Sequence, residues 1–186
     1  MNIIGGEKRG SKLAVCTSKA VRPTAQRTRE ALFNILNGGR FSLSLSGATV
    51  IDLFAGTGSI GLEALSRGAR SCIFVEQDRD ALQTLQANIS KLELEDCAHI
   101  LAKDARQIHQ WAGSRANLVF ADPPYNSNLA GEGLHQLVSA GAVSQQALIV
   151  VETRKTDDCK LGPEFVLTDS RVYGVAKLNF FNLEDS

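Results

Sequence analysis

The chain has 186 residues, 44% hydrophobic and 22% charged, which is enough length and apolar content to bury the core of one domain. Twenty Lys and Arg balance twenty Asp and Glu, and none of the four cysteines stands in a C-x-x-C pair, which argues against a zinc module or a disulfide scaffold. The first residues lack the apolar stretch of a secretory signal and no apolar run approaches the ~20 residues of a membrane span, so a cytoplasmic protein is expected.

The zero net charge hides an asymmetry. Residues 1–40 carry eight Lys and Arg against two Glu, a local excess of +6, and the rest of the chain is acidic by the same amount. Lys8, Arg9, Lys12, Arg22, Arg27 and Arg29 are therefore candidates for contact with nucleic-acid phosphates, although any one of them alone reads as an ordinary solvated charge. Within this segment Met1 to Val15 alternates apolar stretches with Gly5-Gly6 and Gly10-Ser11, which suits a small hairpin. A helix is predicted from Pro23-Thr24 to Gly38-Gly39, with an apolar stripe of Ala25, Leu32, Ile35 and Leu36. Arg27 lies opposite that stripe, and Arg29 falls nearer to it, so Arg29 must pair with a carboxylate or line a site. Residues 1–40 are taken as a basic extension, and residues 41–186 as the catalytic domain, entered through a Ser-rich linker.

The second region runs Val50-Ile51-Asp52-Leu53-Phe54-Ala55-Gly56-Thr57-Gly58-Ser59-Ile60-Gly61. A β-branched strand ends in a glycine-rich turn and opens a helix. Gly56 and Gly58 permit a tight turn and close approach of a ligand, and Gly61 permits close helix packing. The next strand, Ser71 to Val75, ends at Glu76, twenty residues past Gly56, where a carboxylate can accept both hydroxyls of a ribose. Asp52, Phe54, Ala55, Gly56, Gly58, Glu76 and Gln77 thus form a candidate nucleoside-cofactor site. NAD and S-adenosylmethionine share that ribose. Asp52 beside the loop suits an ammonium or sulfonium better than a pyrophosphate, and the chain has little room for a dehydrogenase's added domain. Asp104 and Ala105 follow a third short strand at His99 to Leu101 and are candidates to meet an adenine.

Farther on, helical periodicity covers Asp80 to Leu92, a short helix is read at Ala105 to Trp111, and a weaker one at Leu129 to Ser139. Ala147 to Val151 reads as a buried fifth strand, and Phe165 to Val172 with Val175 to Phe181 as a terminal antiparallel hairpin. Alternating strands and helices imply a doubly wound parallel α/β sheet with its ligand beyond the carboxyl ends of the strands. His99, His109 and His135 form no ligand-like cluster, so no metal is expected.

The apolar run Asn117 to Ala121 delivers Asp122-Pro123-Pro124-Tyr125 to that edge. Asp-Pro and Pro-Pro are ordinary turn signals, and in isolation such a match is more often a loop. Behind a strand, and downstream of the glycine loop, it reads as a site that methylates an exocyclic amino group of a nucleic-acid base. Such a nitrogen shares its lone pair with the ring and is a poor nucleophile. Acceptors aimed at its N–H bonds, here the Asp122 carboxylate and the Pro123 carbonyl, favour a pyramidal nitrogen in the transition state. Consecutive prolines hold those acceptors stiffly, and Tyr125 offers a ring to stack on the base.

Together, Ile3-Ile4-Gly5-Gly6, Arg9-Gly10, Arg22-Pro23-Thr24, Arg27 through Glu30, Leu32-Phe33, the Asp52 to Gly58 loop, Gly61 to Ala69, Glu76-x-Asp78 and Asp122 to Tyr125 resemble the RsmD family. The resemblance implies a class I, Rossmann-like S-adenosylmethionine-dependent methyltransferase fold: a mostly parallel seven-stranded sheet with a C-terminal antiparallel hairpin and a small N-terminal hairpin-helix extension. It further implies modification of a guanine N2 in 16S ribosomal RNA, within a small-subunit assembly intermediate. Methylation of adenine N6 in DNA or RNA, and an RNA-binding assembly module without turnover, stay open; an NAD-dependent role is a distant third.

Overall fold

A computed structural model of the protein describes residues 1–16, 23–124 and 128–184, the side chains of 23–25 excepted. After α1 (Pro23–Asn37), strands and helices alternate: β1 (Thr49–Leu53), α2 (Ser59–Ser66), β2 (Ser71–Glu76), α3 (Arg79–Leu92), β3 (Ala98–Ala102), β4 (Ala116–Ala121), α4 (Leu129–Ser139) and β5 (Val143–Arg154). Two further strands close the chain, β6 (Phe165–Tyr173) and β7 (Ala176–Leu183). They form one seven-stranded sheet in the order β3-β2-β1-β4-β5-β7-β6. All pairings from β3 to β5 are parallel, and β7 runs antiparallel to both β5 and β6. The expected α/β architecture and C-terminal hairpin are therefore present.

Strict alternation within the central strands explains why they read as continuous apolar runs. Val50, Leu118, Phe120, Leu148 and Val150 belong to one core, which also takes in Leu32, Phe33 and Leu36 of α1, Leu62 of α2 and Leu85 of α3. Their neighbours Ile51, Leu53, Val119, Ala121, Ile149 and Val151 belong to the core on the opposite face, with Leu134 and Leu137 of α4. A parallel sheet covered on both faces needs apolar side chains pointing both ways. Each fully buried Leu, Ile or Phe contributes roughly 1.5–3 kcal/mol.

One predicted element shrinks. The helix read at 105–111 is a single 3-10 turn, Ala105–Gln107, and Ile108 leaves it with ψ 79°. Ile108 is 2% exposed, so burying it in the second core outweighs continuing a helix through the exposed polar His109 and Gln110. Trp111 instead folds back, its indole N–H donating to the Ser114 carbonyl at 3.1 Å.

The first sixteen residues fold into the expected small hairpin, bridged at Asn2 and Lys12. Two of its three glycines have a packing reason: a Cβ on Gly5 would meet the Arg67 guanidinium. Gly6 adopts φ +78°, and a Cβ there would run into the Ser66 backbone carbonyl, so only glycine lets the hairpin lie against the end of α2. The Glu7 amide donates to that carbonyl at 2.7 Å, and Ser66 Oγ donates to the Gly5 carbonyl at 2.6 Å. Ile3 and Leu13 join the same core as α1 and the sheet, so the N-terminal residues pack on the α/β fold itself.

Candidate active site

The strand order reverses direction between β1 and β4, and the crevice beyond their carboxyl ends is where a ligand fits such a sheet. Three strand ends meet there. Leu53 pairs with Val75 on one side and with Ala121 on the other, so Phe54, Glu76 and Asp122, each next in sequence, occupy adjacent positions along one edge.

Phe54 turns the chain with φ 71°, a left-handed conformation that costs a non-glycine residue about 1 kcal/mol or more. The backbone recovers part of that through two hydrogen bonds, from the Phe54 and Ala55 amides to the Val75 carbonyl at 3.1 and 2.9 Å. The Phe54 ring packs on the second core and reaches the neighbourhood of Gly133 on α4. Gly56 at φ +55° has open space around it, whereas a Cβ on Gly58 at φ +85° would strike Leu85. A Cβ on Gly61 would meet Phe74 and Cys72, which bears out its expected part in helix-on-sheet packing.

Glu76 fixes the loop from the neighbouring strand. One carboxylate oxygen accepts from the Gly56 amide at 2.7 Å; the other accepts from the Gln77 and Asp78 amides at 2.8 and 2.9 Å. These three donors orient both oxygens; Oε1 has both lone pairs engaged, and Oε2 keeps one for a ribose hydroxyl. Gln77 is exposed, its backbone serving Glu76, and Asp78 caps α3 by accepting from Ala81.

Asp52 is 2% exposed and accepts from the Gly61 amide at 2.9 Å. Burial raises its pKa from 3.8 to about 7; the Gly61 amide opposes the rise, and the negative charges of Asp122 and Glu76 add to it. Three carboxylates thus share one electrostatic environment, which favours a cationic ligand. Asp122 and Pro124 are exposed and Pro123 is buried; Tyr125 lies outside the described residues.

Asp104 and Ala105 stand farther along the edge, after β3. Asp104 caps the 3-10 turn and binds Arg106 through both oxygens, the shortest contact 2.6 Å, and this partner holds its carboxyl below the usual range. Ala105 is 4% exposed and packs in the core beneath α4. The carboxylate expected to meet an adenine is thus already engaged.

Of the basic candidates, Arg9, Lys12 and Arg27 are exposed, and Lys8 is partly covered, 3.6 Å from Glu7. Arg22 lies outside the described residues. Arg29 is corrected: at 2% exposed, it cannot reach a phosphate. Its guanidinium faces Glu63 at 3.8 Å and donates to the Asn2 carbonyl and Met1 Sδ, each at 2.6 Å. Sequence reading missed two buried polar residues. Glu63 is fully buried on α2 and holds the hairpin; Asn88 is fully buried on α3. Each interrupts an apolar helical stripe, which was the available signal.

A family model described as Conserved hypothetical protein 95 matches residues 1–182. This chain belongs to that family, the RsmD family. It is 39% identical over 153 residues to the ribosomal RNA small subunit methyltransferase D of Escherichia coli, covering 82% of this chain and 74% of that protein. It is 30% identical over 184 residues to the enzyme of the same name from Haemophilus influenzae, covering 97% and 93%. Among solved structures, Escherichia coli yhhF superposes on this RsmD-family chain with a TM-score of 0.83 at 33% identity, covering 100% and 99% of the two chains. The Thermus thermophilus 16S rRNA N2 G1207 methyltransferase, solved with AdoMet and guanosine, shares the fold at TM-score 0.67 and 20% identity, covering 91% of this chain and 45% of its own. The class I methyltransferase fold expected from the sequence is thereby shown.

Proposed function

We propose that this chain transfers a methyl group from S-adenosylmethionine to the N2 amino group of a guanine in 16S ribosomal RNA, within a partly assembled small subunit. The observation that carries the reading is the placement of Asp122-Pro123-Pro124 one strand away from the Phe54 to Gly58 loop, with Glu76 on the loop's other side. The names of the 39% and 30% identical relatives support the RNA class.

The residues present fit the donor. Glu76 accepts from the ribose through Oε2, the open space at Gly56 admits the ligand to the backbone, and Asp52 with its two acidic neighbours favours the positive charges of an ammonium and a sulfonium. The donor supplies an electrophilic methyl on that sulfonium. Ala105 and the Asp104 turn form the adenine side, Asp104 acting through backbone geometry or after exchanging its Arg106 partner.

The acceptor side is held by Asp122, Pro123, Pro124 and Tyr125. The target base leaves its stack to enter the crevice. The Asp122 carboxylate and the Pro123 carbonyl accept from the amino hydrogens, which localises the nitrogen lone pair toward the methyl carbon; in-line displacement would break the S–CH3 bond and release S-adenosylhomocysteine, the methylated nitrogen would give its extra proton to Asp122 or water, and no enzyme side chain is alkylated. Arg9, Lys12 and Arg27 follow phosphates, with Lys8 and Arg22 beside them, so particle binding weakens steeply with salt.

The test is incubation with labelled donor and small subunits from a strain lacking the modification, followed by nucleoside analysis. Label in N2-methylguanosine supports the reading. Label in N6-methyladenosine redirects it to the other base, and no label at all leaves an RNA-binding module.

A further inference from the structure

One face of α3 carries three contacts to the end of the N-terminal hairpin. Lys91 Nζ donates to the Lys12 carbonyl at 2.8 Å, Asn88 engages Ala14, and Thr84 Oγ1 lies 3.4 Å from Cys16 Sγ. Helix positions 91, 88 and 84 therefore meet chain positions 12, 14 and 16. An extended chain advances ~6.6 Å in two residues and a helix ~4.5–6 Å in three or four, so the two match step for step. The track runs antiparallel to α3, toward the helix end that follows Glu76.

Asn88 does more than hold this track. Its Oδ1 accepts from the Ala14 amide at 2.7 Å, and its Nδ2 donates both to the Ala14 carbonyl at 3.1 Å and to the Thr57 carbonyl at 3.0 Å. Thr57 lies between Gly56 and Gly58 in the loop assigned to the donor. A single, fully buried amide thus ties together the hairpin strand, α3 and the glycine loop. Only an amide suits the site: a carboxylate would face two carbonyls, and an apolar side chain would leave the part-buried Thr57 carbonyl and the two Ala14 backbone groups without this partner.

We propose that Asn88 is a positioning residue that couples the RNA-contacting hairpin to the donor loop, so that engagement of RNA and binding of the donor strengthen each other. The proposal rests on the reading of residues 1–40 as an RNA-contacting segment. Phosphates drawn to Arg9 and Lys12 fix the strand that carries Ala14. Asn88 then holds the Thr57 carbonyl, and the Gly56 to Gly58 turn pays less ordering entropy when the donor arrives. Linkage makes the effect reciprocal.

The experiment measures the dissociation constant of labelled S-adenosylhomocysteine, which cannot react, with and without saturating small subunits that lack the modification. In the unaltered protein the particles tighten binding at least about fivefold, the lower end of ordinary coupling. In Asn88→Ala and Asn88→Asp the ratio falls below about twofold, whatever the melting temperature does; a merely structural asparagine would lower the melting temperature and leave the ratio intact. An unaltered protein without coupling, or an Asn88→Ala protein that keeps it, overturns the proposal. Should both variants fail to fold, amide hydrogen exchange of residues 56–58 in the unaltered protein decides. Protection that rises when particles bind supports the coupling, and unchanged protection overturns it. Arg9→Glu with Lys12→Glu separates the two levels: unchanged particle binding there sinks the RNA reading itself, whereas weakened binding without coupling sinks only the role of Asn88.

Discussion

Arg29 Nε lies 3.8 Å from the Glu63 carboxylate, with the two side chains 1% and 0% exposed. The carboxylate also accepts from the Ile4 and Gly5 amides, each at 2.8 Å, and from Arg67 Nε at 2.6 Å. Arg67 in turn lies over the Phe33 ring, 4.9 Å from its centre. One acidic side chain thereby fastens the hairpin, α1 and α2 to each other.

Removing it should be costly in a specific way. Glu63→Ala leaves a buried guanidinium and two backbone amides without their partner, and we expect a loss of about 3–5 kcal/mol. For a chain of this size that lowers the melting temperature by roughly 6–20 °C. Combining Glu63→Gln with Arg29→Met removes both charges and should recover part of the loss. Calorimetric melting of the single and double variants checks this, and equal losses in both would show that the charge pair is not the cause.

The pH dependence of donor binding follows from Asp52. Its pKa is raised from 3.8 to about 7, so the folded, ligand-free protein prefers the protonated form. A raised value contributes stability that is full below about 3.8 and is lost as the pH climbs through about 7, the loss being on the order of a few kcal/mol. A cationic donor reverses the preference, because it favours the carboxylate. We therefore expect donor affinity to fall by up to about tenfold per pH unit below 7, with proton release on binding in that range. Titration calorimetry in buffers of different ionisation enthalpy measures the proton count, and Asp52→Asn should flatten the profile. A flat profile in the unaltered protein would remove Asp52 from contact with the donor's charges.

Much of this site was legible in the sequence, because backbone rules dictate it. A β-branched run before Gly56-x-Gly58 forces a strand, a tight turn and a helix, and a carboxylate at the end of the next parallel strand must arrive beside that turn. Asp122 followed a buried run, so its position on the same edge was equally fixed. Arg29, Glu63 and Asn88 were not legible in this way. Their roles depend on which surface the N-terminal hairpin covers, and that is set by a glycine with no room for a Cβ, not by any periodicity. The pairing of Asp104 with Arg106, two residues on, was equally illegible, because no periodicity reports it.

Glu76 should act on binding more than on chemistry. Its carboxylate is oriented by the Gly56, Gln77 and Asp78 amides, and a ribose hydroxyl would add one further hydrogen bond at Oε2. A hydrogen bond to a charged group contributes roughly 1.5–3 kcal/mol, so Glu76→Ala should weaken donor affinity by about one to two orders of magnitude. The loop also loses its tie to β2, so Glu76→Gln, which keeps an oxygen for the Gly56 amide, should lose less. Wild-type affinity in Glu76→Ala, measured by calorimetry, would take the residue out of the donor site.

Asp122 should show the opposite division. Its acceptor oxygens matter most when the amino nitrogen becomes pyramidal, so their loss falls on the chemical step. We expect Asp122→Ala to lower the single-turnover rate by roughly 10²–10³, the scale set by removing one positioned partner of a developing charge. Donor affinity at pH 8 should change little. Below pH 7 it should improve slightly, because the Asp122 charge is one of the causes that raise the pKa of Asp52. Asp122→Asn keeps one acceptor oxygen and removes the same charge, so it should share the change in pH profile and lose less rate than Asp122→Ala. Single-turnover transfer at saturating particle concentration, beside donor titrations at pH 6 and 8, reads both effects. A rate within threefold of the unaltered enzyme in Asp122→Ala would leave the amino group activated by something other than this carboxylate.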